Sequence, residues 1–215
     1  MIALMHYFLV KGRRDHSLAI FTLGPTILVT IALVAASIVE HRLHYPLMFA
    51  AKMSLVQNAA LAEQIFGTLA LGFATISGFW ILRSEVATKA ISSFVVASRT
   101  INVSLALIFF AAITGIASWL VATGTVIALT ATIPPHLPLV ACAAIAIALA
   151  LASIGALTVA ISPQPMMMAW ACSSLLLFIP WTDRLPNGNE LLLAGIVFVV
   201  CASLSTYRLG RRCAA

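Results

Sequence analysis

The chain has 215 residues, of which 62% are hydrophobic and only 8% charged. Soluble domains carry about a quarter charged residues, so a water-facing globular fold is excluded. The formal net charge of +6 does not mark a nucleic-acid binder, because the basic residues are distributed around the apolar runs rather than gathered in one patch.

Long apolar runs dominate the sequence, at residues 18–39, 59–82, 101–122, 137–161, 165–181 and 191–207. A spanning helix needs roughly 20 mostly apolar residues. Backbone groups in lipid must pair within the segment or in a closed barrel, and barrel strands would alternate apolar with polar residues. These runs do not alternate. The expected fold class is therefore all-α: a polytopic membrane protein with six transmembrane helices in a single domain.

In chain order, residues 1–16 come first. Leu4, Phe8 and neighbouring Met5 and Leu9 recur at helical spacing, and Lys11, Arg13, Arg14 and Asp15 follow. This pattern predicts an amphipathic helix lying in the membrane interface; a frayed terminus with snorkelling basic side chains is the alternative. The basic cluster follows the apolar stretch instead of preceding it, unlike a cleaved signal peptide. The first run contains Gly24-Pro25, where the missing backbone donor predicts a kink. Residues 40–58 hold His41 and His44, three apart but with no evident third ligand, so solvated loop histidines are the preferred reading over a metal or haem-like site.

The second run carries Glu63 and Gln64 near its start. Two readings of Glu63 stand: a carboxylate lining a substrate path, or one reaching the headgroups at modest cost, which is favoured. Ala70, Ala74 and Gly78 form a small-xxx-small row suited to close helix approach. The connection 83–100 is longer than a bundle turn. Glu85 and Lys89 stand at i,i+4 with the acid N-terminal, and Ile91, Phe94, Val95 and Ser98 share one helical face. A short amphipathic helix along the membrane surface is expected, the alternative being an extension of the neighbouring spans.

Asn102 opens the third run as a helix-end residue. Residues 123–136 are uncharged and expected to form an external connection, stiffened by Pro134-Pro135-His136-Leu137-Pro138 before the fourth run. Ser162-Pro163-Gln164-Pro165 reads as a tight turn into the fifth run, the shortest. Its consecutive Met166, Met167 and Met168 would face different sides of a helix, which favours packing over a soft-metal site. Asp183, Arg184, Pro186 and Asn187-Gly188 are turn residues before the sixth run. Residues 208–215 form a basic tail. The four tryptophans lie mostly near run ends, as an aromatic belt would place them.

With six crossings, Lys11, Arg13, Arg14, Arg83, Lys89, Arg99, Arg208, Arg211 and Arg212 fall on one side, and Arg42, Lys52 and Arg184 on the other. The positive-inside rule then puts both termini in the cytoplasm. No phosphate-binding loop, nucleophile elbow or His-Glu-x-x-His motif is present, so no catalytic residue is assigned and ATP binding by the phosphate-loop route is excluded. The four cysteines, Cys142, Cys172, Cys201 and Cys213, show no metal-ligand spacing and read as small apolar residues; no metal site is assigned.

The layout resembles the membrane subunit of a type-2 ABC exporter (the ABC-2-type permease family). The resemblance spans essentially the whole chain, chiefly as architecture: the N-terminal helix ending Lys11-Gly12-Arg13-Arg14-Asp15, Gly24-Pro25 in the first span, and an amphipathic segment after the second. In that family the segment begins with an acidic residue, continues through a Gly-Thr-Leu-Glu-like stretch and ends Pro-x-Ser-Arg-like. Here Arg83 and Glu85 stand at its start, Thr88 in the middle and Ser98-Arg99 at its end. Ala87 or a neighbour replaces the glycine, and the proline is missing.

The resemblance implies a permease that pairs with itself or a similar subunit and is driven by a separate ABC-type ATPase. That partner would bind ATP and Mg; this chain would bind no cofactor. Residues 83–100 would serve as a coupling helix, with Arg83, Glu85, Lys89, Ile91, Phe94 and Arg99 facing the ATPase. Lys11, Arg13, Arg14 and Asp15 would end the interfacial helix. Location in a bacterial inner membrane is expected, with membrane lipid and not nucleic acid as the surroundings. The alternative is a stand-alone secondary transporter or channel, for which Gly24-Pro25 and Glu63 speak.

Overall fold

A computed structural model of the chain describes residues 1–14, 99–131, 133, 136–161 and 188–214, with helical residues scattered through 23–38, 67–75 and 93–94. Helix is the only regular structure among the described residues. It forms α1 (Ile2–Arg14), α2 (Thr100–Thr130), α3 (Leu137–Ile161) and α4 (Gly188–Ala214). Stretches within α2, α3 and α4 are long and apolar enough to cross a membrane. The chain is therefore an all-α integral membrane protein. The fifth run, at 165–181, lies outside the described residues, as do His41, His44 and Met166–Met168.

Two helices outrun the apolar stretches that announce them. α2 continues past residue 122 to Thr130, so the uncharged connection shortens to residues 131–136. Thr125 allows this by returning its hydroxyl to the Val121 carbonyl at 2.8 Å, so that the polar side chain is paired inside the helix. Thr123 and Val126, 4% and 0% exposed, pack the extension into the bundle. The helix stops at Ala131, whose φ of 53° and ψ of 21° form a left-handed C-cap. At its other end the chain is similar: the expected tail continues α4 to Ala214, and buried Leu209 ties that last part to the core. With 31 residues, α2 is about 46 Å long at 1.5 Å per residue, more than the ~30 Å hydrocarbon layer.

The helix directions follow from reach and contact. A six-residue connection extends about 20 Å, whereas the 25 residues of α3 rise about 37 Å, so packed α2 and α3 must be antiparallel. Ser104 meets Ser205, and Thr100 lies beside Gly210. Rising numbers on α4 thus meet falling numbers on α2, and these two are antiparallel as well. α3 and α4 therefore run parallel, and the end of one lies at the opposite side of the bundle from the start of the other.

Packing in lipid cannot rely on withdrawing apolar surface from water. It relies on close approach, which small side chains permit. On α3 the residues Ala144, Ala148, Ala152, Ala156 and Ala160 repeat at i+4, and all are buried. Gly115 of α2 receives Leu71 and Thr75 from the second run so closely that a Cβ there would overlap Thr75 Oγ1. The face of α4 carrying Leu192, Leu193, Ile196, Val199, Val200 and Leu204 stays exposed, as a lipid-facing surface requires.

Buried hydroxyls are mostly satisfied within their own helix. Thr75 donates to Leu71 O, Thr114 to Ala111 O, Ser153 to Ala150 O and Thr158 to Gly155 O, each at 2.7 Å. One pair that joins two helices among the described residues is Ser104–Ser205, with its oxygens 2.6 Å apart. Ser205 can also donate to Ala202 O at 2.9 Å, and either hydroxyl can serve as the donor between the helices. Such bonds contribute about 0.6 kcal/mol on average within a membrane. A double-mutant cycle on Ser104→Ala and Ser205→Ala is expected to return a coupling of about 0.6–1.7 kcal/mol in unfolding experiments in micelles. A coupling of zero would mean that the pair does not join α2 to α4.

Candidate coupling site at the basic end

The end of the bundle where α2 begins and α4 finishes is basic and carries an aromatic joint. α1 is responsible for the joint. Phe8 is fully buried, and Leu4 and Met5 on the same face pack partly against the core. Around Phe8 the rings follow in sequence. Phe110 of α2 lies 5.7 Å away and Phe94 6.2 Å, while Tyr7 reaches Phe94 at 5.4 Å. The Tyr7–Phe94 and Phe8–Phe94 pairs are edge-to-face, at 62° and 83°, the arrangement that aromatic quadrupoles favour. One side chain of the 83–100 segment, Phe94, thereby packs on Tyr7 and Phe8 of α1, and Phe8 in turn meets Phe110 of α2.

The surrounding charges are of one sign. Arg99 caps α2 in an extended conformation with no side-chain hydrogen bond across the helix start. Arg208 and Arg211 stand exposed on the last turns of α4, and Arg211 lies over the Tyr207 ring at 5.1 Å. Arg13 and Arg14 are exposed at the end of α1, and Lys11 is half-buried. Glu190 is the one acidic residue among the described residues, and it lies in the first turn of α4, at the other end of the bundle.

Of the expected coupling residues, Phe94 and Arg99 are thus brought to this end. Arg83, Glu85, Lys89 and Ile91 lie outside the described residues, as do Asp15, Glu63 and Gln64. Tyr7 and Phe110 were not singled out by the sequence reading. Tyr7 falls off the apolar stripe by helical spacing, and Phe110 is one apolar residue within an apolar run, so neither carried a signal.

Trp119 departs from the aromatic-belt expectation: it is 5% exposed and belongs to the core cluster. With α2 extended to Thr130, residue 119 is well inside the helix and not near its end. Ser118, beside it, has a fully buried hydroxyl with no hydrogen-bond partner. Among the described residues no group of His, Cys, Asp or Glu could hold a metal ion, and Cys142 and Cys201 form no disulfide. What the site offers is mechanical: a displacement of Phe94 would be passed by ring contact to Tyr7 and Phe8 of α1, and through Phe8 to Phe110 of α2.

No protein-family model matches this sequence, and neither a curated protein nor a solved structure is similar to it.

Proposed function

We propose that the chain is the permease subunit of an exporter of the type-2 ABC class, working as a pair of membrane subunits driven by a separate ATPase. The observation that carries this reading is the packing of Phe94 on Tyr7 and Phe8 of α1, with Phe8 in turn against Phe110 of α2. In the proposed mechanism, ATP-driven closure of the partner ATPase presses on residues 83–100. Glu85 and Arg99 provide the charged contacts, and Phe94 transmits the displacement. Because packed interfaces are bistable rather than continuously deformable, a small shift at this joint re-sorts the helices lining the path between the two permeases. ATP and Mg belong to the partner.

Topology supports the same reading. α3 ends at the basic side and α4 begins at the other. A six-crossing chain, with a fifth span between them, has that arrangement. It also puts both termini on the basic side, the cytoplasmic side by the positive-inside rule. Short connections and an apolar interior suit an apolar or amphipathic cargo.

Co-purification tests the class. The full chain is expected to retain an ABC-type ATPase, whose cargo-stimulated hydrolysis falls to basal level with Glu85→Gln or Phe94→Ala while both variants still insert. Unchanged stimulation in both would remove the coupling role. Transport by the purified chain alone, driven by an ion gradient, would overturn the exporter reading in favour of a secondary transporter.

A further inference from the structure

Among the described residues, only one side of α1 packs on the bundle; the other carries apolar side chains around His6. Phe8, Leu4 and Met5 face the bundle. The opposite face presents Ile2 at 81% exposure and Val10 at 50%, with Leu9 at its flank. At 100° per residue, Ile2, His6, Leu9 and Val10 share that outer face with Arg13 and Arg14, which are exposed at the end of the helix. An apolar face that ends in arginines is suited to a surface offering acyl chains and negative charge side by side.

The rest of the basic end complements such a surface. Arg99, Arg208 and Arg211 are exposed at the same end as the α1 contact with α2, and no acidic side chain accompanies them among the described residues. Arg211 is held over Tyr207, on an exposed part of α4 where headgroups would meet an integral helix. A zwitterionic surface would leave these charges without counterparts; an anionic one supplies phosphates at the depth where the guanidiniums emerge.

We propose that the outer face of α1, together with Arg13, Arg14, Arg99, Arg208 and Arg211, forms a docking surface for anionic phospholipid, so that α1 lies against the bilayer only where the leaflet is negatively charged. The inference stands on the described residues and does not depend on the exporter reading. Since the inner face of α1 holds Phe94, the lipid charge would also set how firmly that joint is seated.

The test uses the full chain with its cysteines replaced by alanine and an environment-sensitive fluorophore at Val10→Cys. It is reconstituted in vesicles of phosphatidylcholine, or of phosphatidylcholine with about one-third phosphatidylglycerol, a charge density on the scale of natural anionic leaflets. Access is read by quenching with acrylamide, which is neutral and so does not itself respond to surface potential. Quenching is expected to fall severalfold in the anionic vesicles and to return at about 0.5 M salt, where the Debye length is only a few ångströms. Arg13→Gln with Arg14→Gln should weaken the lipid response by about fivefold per charge removed.

Equal quenching in both vesicles would overturn the proposal, as would a fall that survives both salt and charge removal. If millimolar inorganic phosphate in phosphatidylcholine vesicles reproduces the fall, the site is for a free anion and the lipid assignment fails. A fall that tracks protein-to-lipid ratio instead of composition would mean that a second copy covers α1. Should the double variant fail to insert, the salt response of the labelled parent chain still decides.

Discussion

Gly115→Ala is expected to destabilise the bundle by about 1–3 kcal/mol, the usual range for overpacking a filled interior, and Gly115→Val by more. The added Cβ would overlap Thr75 Oγ1 and lie 3.1 Å from the Leu71 carbonyl oxygen and 3.2 Å from Thr75 Cβ. Neither neighbour can retreat cheaply. Leu71 O is backbone, and the Thr75 hydroxyl is engaged with that same oxygen at 2.7 Å. Equilibrium unfolding in micelles measures the loss. Thr75→Gly in the Gly115→Ala background removes both Thr75 atoms from the clash and should recover part of it, so the two substitutions should be non-additive. Strict additivity would mean that residues 71–75 do not press on α2 at this point.

Phe8→Ala is expected to loosen α1 from the bundle. A buried Phe→Ala change in a soluble core costs about 3–5 kcal/mol, including a transfer term that lipid largely removes. The lost dispersion contacts with the Phe94 and Phe110 rings remain, on the order of 2 kcal/mol. Two readings check this: the unfolding midpoint, and cleavage by trypsin at Lys11, Arg13 and Arg14, which should accelerate as α1 comes away. Val10→Ala, on the half-exposed outer face, should change stability by no more than about 0.5 kcal/mol. Equal effects from Phe8 and Val10 would show that α1 is not held by its inner face.

Much of the architecture was readable from the sequence because membrane helices are specified one at a time. The runs at 101–122 and 191–207 identified α2 and α4, and 137–161 coincides with α3. Their ends were less legible. Thr123, Gly124 and Thr125 read as loop residues in water, but a threonine can satisfy its own hydroxyl from within a helix, as Thr125 does. The alanine row from Ala144 to Ala160 was visible as a four-residue period. It passed unremarked because alanine at that spacing within an apolar run looks like composition until a neighbour is packed against it.

The candidate site was legible only in part. Helical spacing identified Phe8 and Phe94 separately, one as the face of a terminal helix and the other as the face of a connection. Nothing in the spacing joined them, since residues 8, 94 and 110 are far apart in the chain and meet through the rotation of α1 about its axis. Gly115 carried no signal either, because a single glycine in an apolar run acquires meaning only from what approaches it.

The sequence by itself determined that this is a helical membrane protein and where its positive charge gathers. The first follows from the demands of the bilayer on each segment alone, enough apolar length to span it and internally paired backbone, and the second from where the basic residues stand between the runs. Tertiary structure alone decided which helices run together, that Ser104 meets Ser205, that Trp119 is inside, and that Phe94 packs on the Tyr7 and Phe8 rings of α1. In lipid, an apolar residue is equally at home facing a neighbour or an acyl chain. Hydropathy therefore cannot distinguish the two, and the choice falls to shape: small residues where backbones close in, and rings where a gap has to be filled.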